Sequence, residues 1–97
     1  MIIVTIKDDC LEVKGHALFA KEGQDIVCAS VSTSLIMTIN QVEICGLKDQ
    51  IKYQLDAGLA KIDILSHTTL LDQIISNLIY TLEDLAKSYP KNLKISK

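Results

Sequence analysis

Between Asp25 and Glu43 the chain carries no charged residue. Ile26, Val27, Ala29, Val31, Leu35, Ile36, Met37, Ile39 and Val42 cover much of a helical circumference instead of forming one stripe. Asp25 is a residue type that caps helix N-termini, and Gly46 falls just past an end near Glu43 or Ile44. Such a helix must be buried on more than one side. The chain has 97 residues. A domain this small buries only about 60–68% of its unfolded surface and supports one core. Residues 1–97 are therefore read as a single domain. Little chain is left to cover the helix twice, so a homodimer is expected, with a second copy supplying the rest of the cover.

The flanking segments alternate. Ile2, Val4 and Ile6 against Ile3, Thr5 and Lys7 predict a strand. Lys7-Asp8-Asp9-Cys10 supplies turn residues, and Leu11 and Val13 belong to a second strand, completing a hairpin. Gly15 to Gln24 has no period and reads as a loop. Ile51, Tyr53 and Leu55, the tight turn Ala57-Gly58, and Ala60, Ile62 and Ile64 form a second hairpin. Thr69 and Asp72 resemble a capping box. Leu71, Ile74, Ile75, Leu78, Leu82 and Leu85 then follow a 3.6-residue period to about Ser88, and Pro90 stops the helix. Leu93 and Ile95 sit in a short final strand. The order ββαββαβ predicts an α+β fold: a mostly antiparallel sheet with two long helices packed on it.

Composition narrows the function. Hydrophobic residues make up 48% and charged residues 23%, with one Pro, which excludes a disordered or low-complexity chain. No apolar run approaches the roughly 20 residues of a membrane span. Met1-Ile2-Ile3-Val4 opens without a basic region, so no signal peptide is expected. Ten Lys against twelve Asp and Glu leave a net charge of −2, and there is no Arg. A sequence-reading grip on nucleic acid is therefore not expected, whereas a basic peptide suits the charge. Cys10, Cys28 and Cys45 are too far apart for a zinc knuckle or a redox dithiol, and read as free thiols in a reducing cytoplasm. No cofactor, metal or phosphate-loop pattern is present in the sequence.

The aperiodic loop joins two groups with chemistry. His16 directly follows the second strand, and Cys28 occupies the third position of a helix capped by Asp25. A free thiol titrates near pH 8.5, and ionising most of it at pH 7 requires about two units, or roughly 2.7 kcal/mol. A helix N-terminus supplies only about 0.3–1 kcal/mol, up to about 2. An imidazolium at contact distance adds up to about 4 kcal/mol at an effective dielectric near 20. A reactive Cys28 therefore needs a partner, and His16 is placed to be one. On spacing alone, Cys28 also reads as a small buried hydrophobe, and His16 as a structural or solvent-facing residue.

Gly15-His16-Ala17, Gly23, Asp25-Ile26-Val27-Cys28-Ala29 and Val31-Ser32, taken together, resemble the ribosomal-processing cysteine protease (Prp) family. The resemblance implies a Cys–His dyad, with Cys28 as nucleophile and His16 as general base and acid. It implies a substrate as well: a large-subunit ribosomal protein precursor whose short N-terminal extension is removed. It also implies a dimer and a mobile loop between the two residues. Backbone N–H groups at the helix start near Cys28 are expected to hold the oxyanion.

Supporting roles stay open. Asp25 either orients His16 or only caps the helix, and Ser32, four residues after Cys28, either reaches the site or bonds back to the helix. Gly15 allows close backbone approach or a hinge, and Gly23 the turn into the helix. Phe19, in the loop from Ala17 to Gln24, either caps the site as part of a lid or packs on the sheet. Cys10, Cys45 and His67 are expected to take no part in catalysis. The competing readings are a non-catalytic ribosome-assembly or peptide-binding module on the same fold, and a thiol-redox protein.

Overall fold

The computed structural model describes every residue except Phe19 and Glu22. Strands β1 (Ile2–Ile6) and β2 (Cys10–Lys14) form the first hairpin, and helix α1 (Ile26–Ile44) follows the loop. A short 3-10 turn at Lys48–Gln50 leads into β3 (Ile51–Asp56) and β4 (Leu59–Ile64). Helix α2 (Thr69–Ser88) and β5 (Leu93–Ser96) complete the chain. This is the expected ββαββαβ order.

One five-stranded sheet results, in the order β3-β4-β2-β1-β5. Every neighbouring pair is antiparallel except β1 with β5. Register follows from the apolar alternation: Val4 stands opposite Val13 and Ile95, and Leu11 opposite Ile62. A slip of one residue would send this whole set to the solvent face. Ile2, Val4, Leu11, Val13, Ala60, Ile62 and Leu93 are all buried, so one sheet face carries the core. Val27, Val31, Leu35, Ile39 and Val42 of α1 join it, as do Leu71, Ile75, Leu78 and Leu82 of α2.

The ends of α1 are made by its sequence. Asp25 caps the start, and Gly46, at φ +75°, closes the end. Leu47 N–H bonds the Val42 carbonyl and Gly46 N–H the Glu43 carbonyl, a Schellman pair. By length and composition this helix would also suit a membrane span, which corrects the expectation that no run comes close. Its buried face packs in the core described above.

Two boundaries move by one residue. Cys10 opens β2 opposite Asp63 and is not part of the turn, which Lys7 N–H closes onto the Cys10 carbonyl. The cap of α2 is Thr68, not Thr69: its hydroxyl accepts from Leu71 N–H at 3.4 Å and donates to Gln50. Asp72 does not complete a capping box, because its carboxylate is turned to His67 Nδ1 at 2.8 Å.

His67 is a clamp between the first hairpin and the second helix. Its Nε2 meets Asp9 Oδ1 at 2.6 Å, so the imidazole ties the β1–β2 turn to the start of α2. Asp72 first, then Asp9, raise its pKa above the ordinary 6.5. A raised folded value means that the clamp's contribution is complete below about pH 6.5 and fades as pH climbs through the folded value. The Tm difference between wild type and His67→Gln should therefore be largest near pH 6 and shrink at higher pH; a gap independent of pH would show that the charge on His67 is irrelevant.

Candidate active site

Gly15 ends β2 at φ +100°, and a Cβ there would collide with the Met1 carbonyl oxygen, so only glycine fits. Its N–H bonds the Gly58 carbonyl at 2.9 Å, fastening the end of β2 to the β3–β4 turn. His16 emerges directly over that turn. A Cβ added to Gly58 would lie 2.9 Å from His16 Nε2, so the missing side chain is what seats the imidazole.

The next residue turns inward. Ala17 is buried, its N–H donates to Cys28 Sγ at 3.2 Å, and its carbonyl accepts from Asn92 Nδ2 at 3.0 Å. Leu18 then takes φ +55° and is exposed, carrying the chain out along the cleft. Cys28 is half-buried on the first turn of α1. Asp25 Oδ1 accepts from both Val27 N–H and Cys28 N–H at 3.0 Å.

Two cavities meet at these residues. The larger, about 600 Å³, is bounded by His16, Leu18, Gly23, Gln24, Asp25, Ile26, Cys28 and Ser32. The smaller, about 210 Å³, opens toward Gly15, Asp56 and Gly58 and is also walled by His16, Cys28 and Ser32. Thiol and imidazole thus stand on a shared wall, with space on both sides for a chain running across them.

The predicted site residues are distributed as follows. His16, Cys28, Asp25, Ser32 and Gly23 surround the larger cavity, and Gly15 the smaller. Phe19 lies outside the described residues. Ser30, Ser34 and Thr38 bond back to carbonyls of α1, whereas Ser32 faces both cavities. No hydrogen bond joins His16 to Cys28 among the described residues. The expected oxyanion donors are corrected: Val27 and Cys28 N–H are held by the Asp25 carboxylate, and Ala29 N–H by the Asp25 carbonyl at 3.0 Å. The amide aimed at the sulfur is that of Ala17.

The other thiols differ in setting. Burial, and then Asp63, push the Cys10 thiol pKa up, away from the thiolate form. Cys45 is the C-cap of α1, with Gln41 Nε2 3.0 Å from its sulfur, at the helix end that disfavours an anion. All three cysteines are free. Three contributors to the site were not read from the sequence: the Ala17 backbone, Gly58 and Asn92. Gly58 reads only as a turn residue, and Asn92 carries no signal of its own in the sequence. Their proximity to the site comes from strand order.

Of the groups on the shared wall, the Cys28 sulfur has a donor trained on it, an arrangement that suits a thiol-dependent enzyme. Known proteins narrow that class. The family model of cysteine protease Prp matches residues 1–94. The ribosomal processing cysteine protease Prp of Mycoplasma pneumoniae is 38% identical over 94% of this chain and 89% of its own length. That of Mycoplasma genitalium is 31% identical over 99% and 95%. The Staphylococcus aureus ribosomal processing protease Prp, solved with a covalently linked product peptide, superposes with a TM-score of 0.84 at 22% identity, covering 98% of this chain and 95% of that one. The chain belongs to the Prp family. It is a cysteine protease, a peptide-bond hydrolase.

Seating of the imidazole on Gly58 is testable. Gly58→Ala should lower stability by about 1–2 kcal/mol, from the side chain forced to positive φ, and, with His16 read as the catalytic base, lower kcat at least about tenfold by displacing it. Gly46→Ala provides the control. Gly46 also has positive φ, but open space surrounds it at the far end of α1. It should lose similar stability and keep its kcat; equal kcat losses in the two variants would remove the role of Gly58.

Proposed function

We propose that Cys28 and His16 act as a dyad that removes a short N-terminal extension from a large-subunit ribosomal protein precursor. The observation carrying this reading is the shared wall, which exposes sulfur and imidazole to one peptide-sized cleft. The names of the relatives support the ribosomal substrate. The S. aureus protease has been solved with a substrate peptide and with a covalently linked product peptide, which supports peptide entry at the corresponding cleft. A net charge of −2 suits a basic precursor segment, and the three free thiols suit a reducing compartment such as the cytoplasm.

The extended peptide crosses from one cavity to the other with its scissile carbonyl over Sγ. His16 takes the thiol proton and Cys28 attacks the carbonyl carbon. His16 then returns that proton to the departing amine, leaving a thioester that water hydrolyses. In the free enzyme the two side chains are not hydrogen-bonded, and substrate brings them into register, as catalytic hydrogen bonds commonly tighten only in the complex. Asp25 fixes the start of α1 through its cap, and Ser32 faces the peptide. Incubating the precursor with wild type should give one new species by intact mass, cut near the N-terminus. Cys28→Ala should abolish it, and His16→Ala should slow it about 10²–10⁴-fold. Unchanged cleavage by Cys28→Ala would end the assignment.

Two copies associate through the outer face of α1 in this reading. Ile26, Ile36, Met37 and Ile44 are exposed there, with no charge between Asp25 and Glu43. Light scattering should find a dimer for wild type and a folded monomer for Met37→Lys; a wild-type monomer would reject the pairing.

A further inference from the structure

We infer that Asn92 is a positioning residue for the nucleophile: its side-chain amide fixes Ala17 so that the Ala17 N–H stays on Cys28 Sγ. The inference rests on the reading of Cys28 as the attacking group. Two bonds carry it. Asn92 Nδ2 donates to the Ala17 carbonyl at 3.0 Å, and Ala17 N–H donates to Cys28 Sγ at 3.2 Å. Ala17 is thus held on both sides of its Cα, with its methyl group buried in the core.

The anchor itself is rigid. Asn92 N–H bonds the Tyr89 carbonyl at 3.0 Å, and the Asn92 carbonyl accepts from Ile2 N–H at 2.9 Å. The adjoining Leu93 is buried at the start of β5, paired in register with Ile2. The edge of the sheet, 64 residues from the nucleophile in sequence, therefore sets the height of the 15–17 segment over α1.

The need for such an anchor follows from the two neighbours. Leu18 sits at positive φ, a conformation that costs a non-glycine residue about 1 kcal/mol or more, so the segment relaxes if Ala17 is released. The first amides of α1 cannot replace the lost donor, because Asp25 already holds Val27, Cys28 and Ala29 N–H. Among the described backbone amides, the Ala17 N–H is the one bonded to the sulfur.

The test uses Asn92→Ala, the near-isosteric Asn92→Asp, which lacks the donor, and Asn92→Gln, which keeps an amide. Two readouts are taken below each variant's Tm: the rate of Cys28 alkylation by iodoacetamide at pH 7, followed by peptide mass mapping, and kcat and KM on a precursor peptide. A hydrogen bond to a charged group is worth roughly tenfold in an equilibrium or more. Asn92→Ala and Asn92→Asp should therefore alkylate several-fold more slowly and lose about tenfold in kcat, with KM within about twofold. Asn92→Gln should recover part of both. Mere loosening of the segment would expose the sulfur and speed alkylation, so a faster or unchanged rate overturns the inference. Should Asn92→Ala fail to fold, Asn92→Asp decides alone. Alkylation needs no substrate, so a wild type that cuts nothing would defeat the dyad reading while the alkylation rates still decided the role of Asn92.

Discussion

Asp25 decides where the proposed nucleophile stands. One of its carboxylate oxygens accepts two amides, so α1 starts at Ile26 and Cys28 faces the cleft on its first turn. The same cap carries a cost for the thiol. A carboxylate at the helix N-terminus occupies the amides and the positive dipole end that a thiolate would otherwise use. Helix position and helix electrostatics therefore pull apart at this site. Stabilisation of the sulfur has to come from outside α1, and the structure brings a neighbouring amide to it from the strand-to-helix segment.

That segment is controlled from the sheet. Gly15 is fastened to Gly58 and crowded by Met1, so the exit from β2 has one available path. His16 lands over the β3–β4 turn, and Ala17 dives toward α1. Because β2 is the middle strand of the order β3-β4-β2-β1-β5, its exit is flanked on one side by β4 and on the other by β1, with β5 beyond. Both flanks are used: Gly58 supports the imidazole and Asn92 the Ala17 carbonyl. A loop alone would hold neither group to the tolerance that nucleophilic attack demands.

What could be read from the sequence was whatever is local. Strand alternation, the uncharged run, the Asp25 cap and Gly46 each declare themselves within a few residues, and the ββαββαβ order follows. The resemblance in Gly15-His16-Ala17 and Asp25–Cys28 pointed to the family that the whole-chain match shows. Adjacent alternatives were harder. Thr68 and Thr69 are equally good caps on composition, and the structure chooses Thr68, whose hydroxyl also reaches Gln50. Cys10 resembles a turn residue until its pairing with Asp63 is known. Gly58 and Asn92 were illegible for a different reason: their roles exist only once β4 lies beside β2 and β5 beside β1.

On the proposed dyad reading, the unbonded state of His16 and Cys28 has a physical use. A permanent thiolate–imidazolium contact in an exposed cleft would be stabilised before any peptide arrived, and ground-state stabilisation raises no rate. With the imidazole resting on Gly58 and the sulfur on the Ala17 amide, each group is held by the scaffold instead of by the other. An entering chain excludes water between them, which strengthens their attraction when a carbonyl is present to be attacked. On the same reading, an extended peptide engages the walls of both cavities.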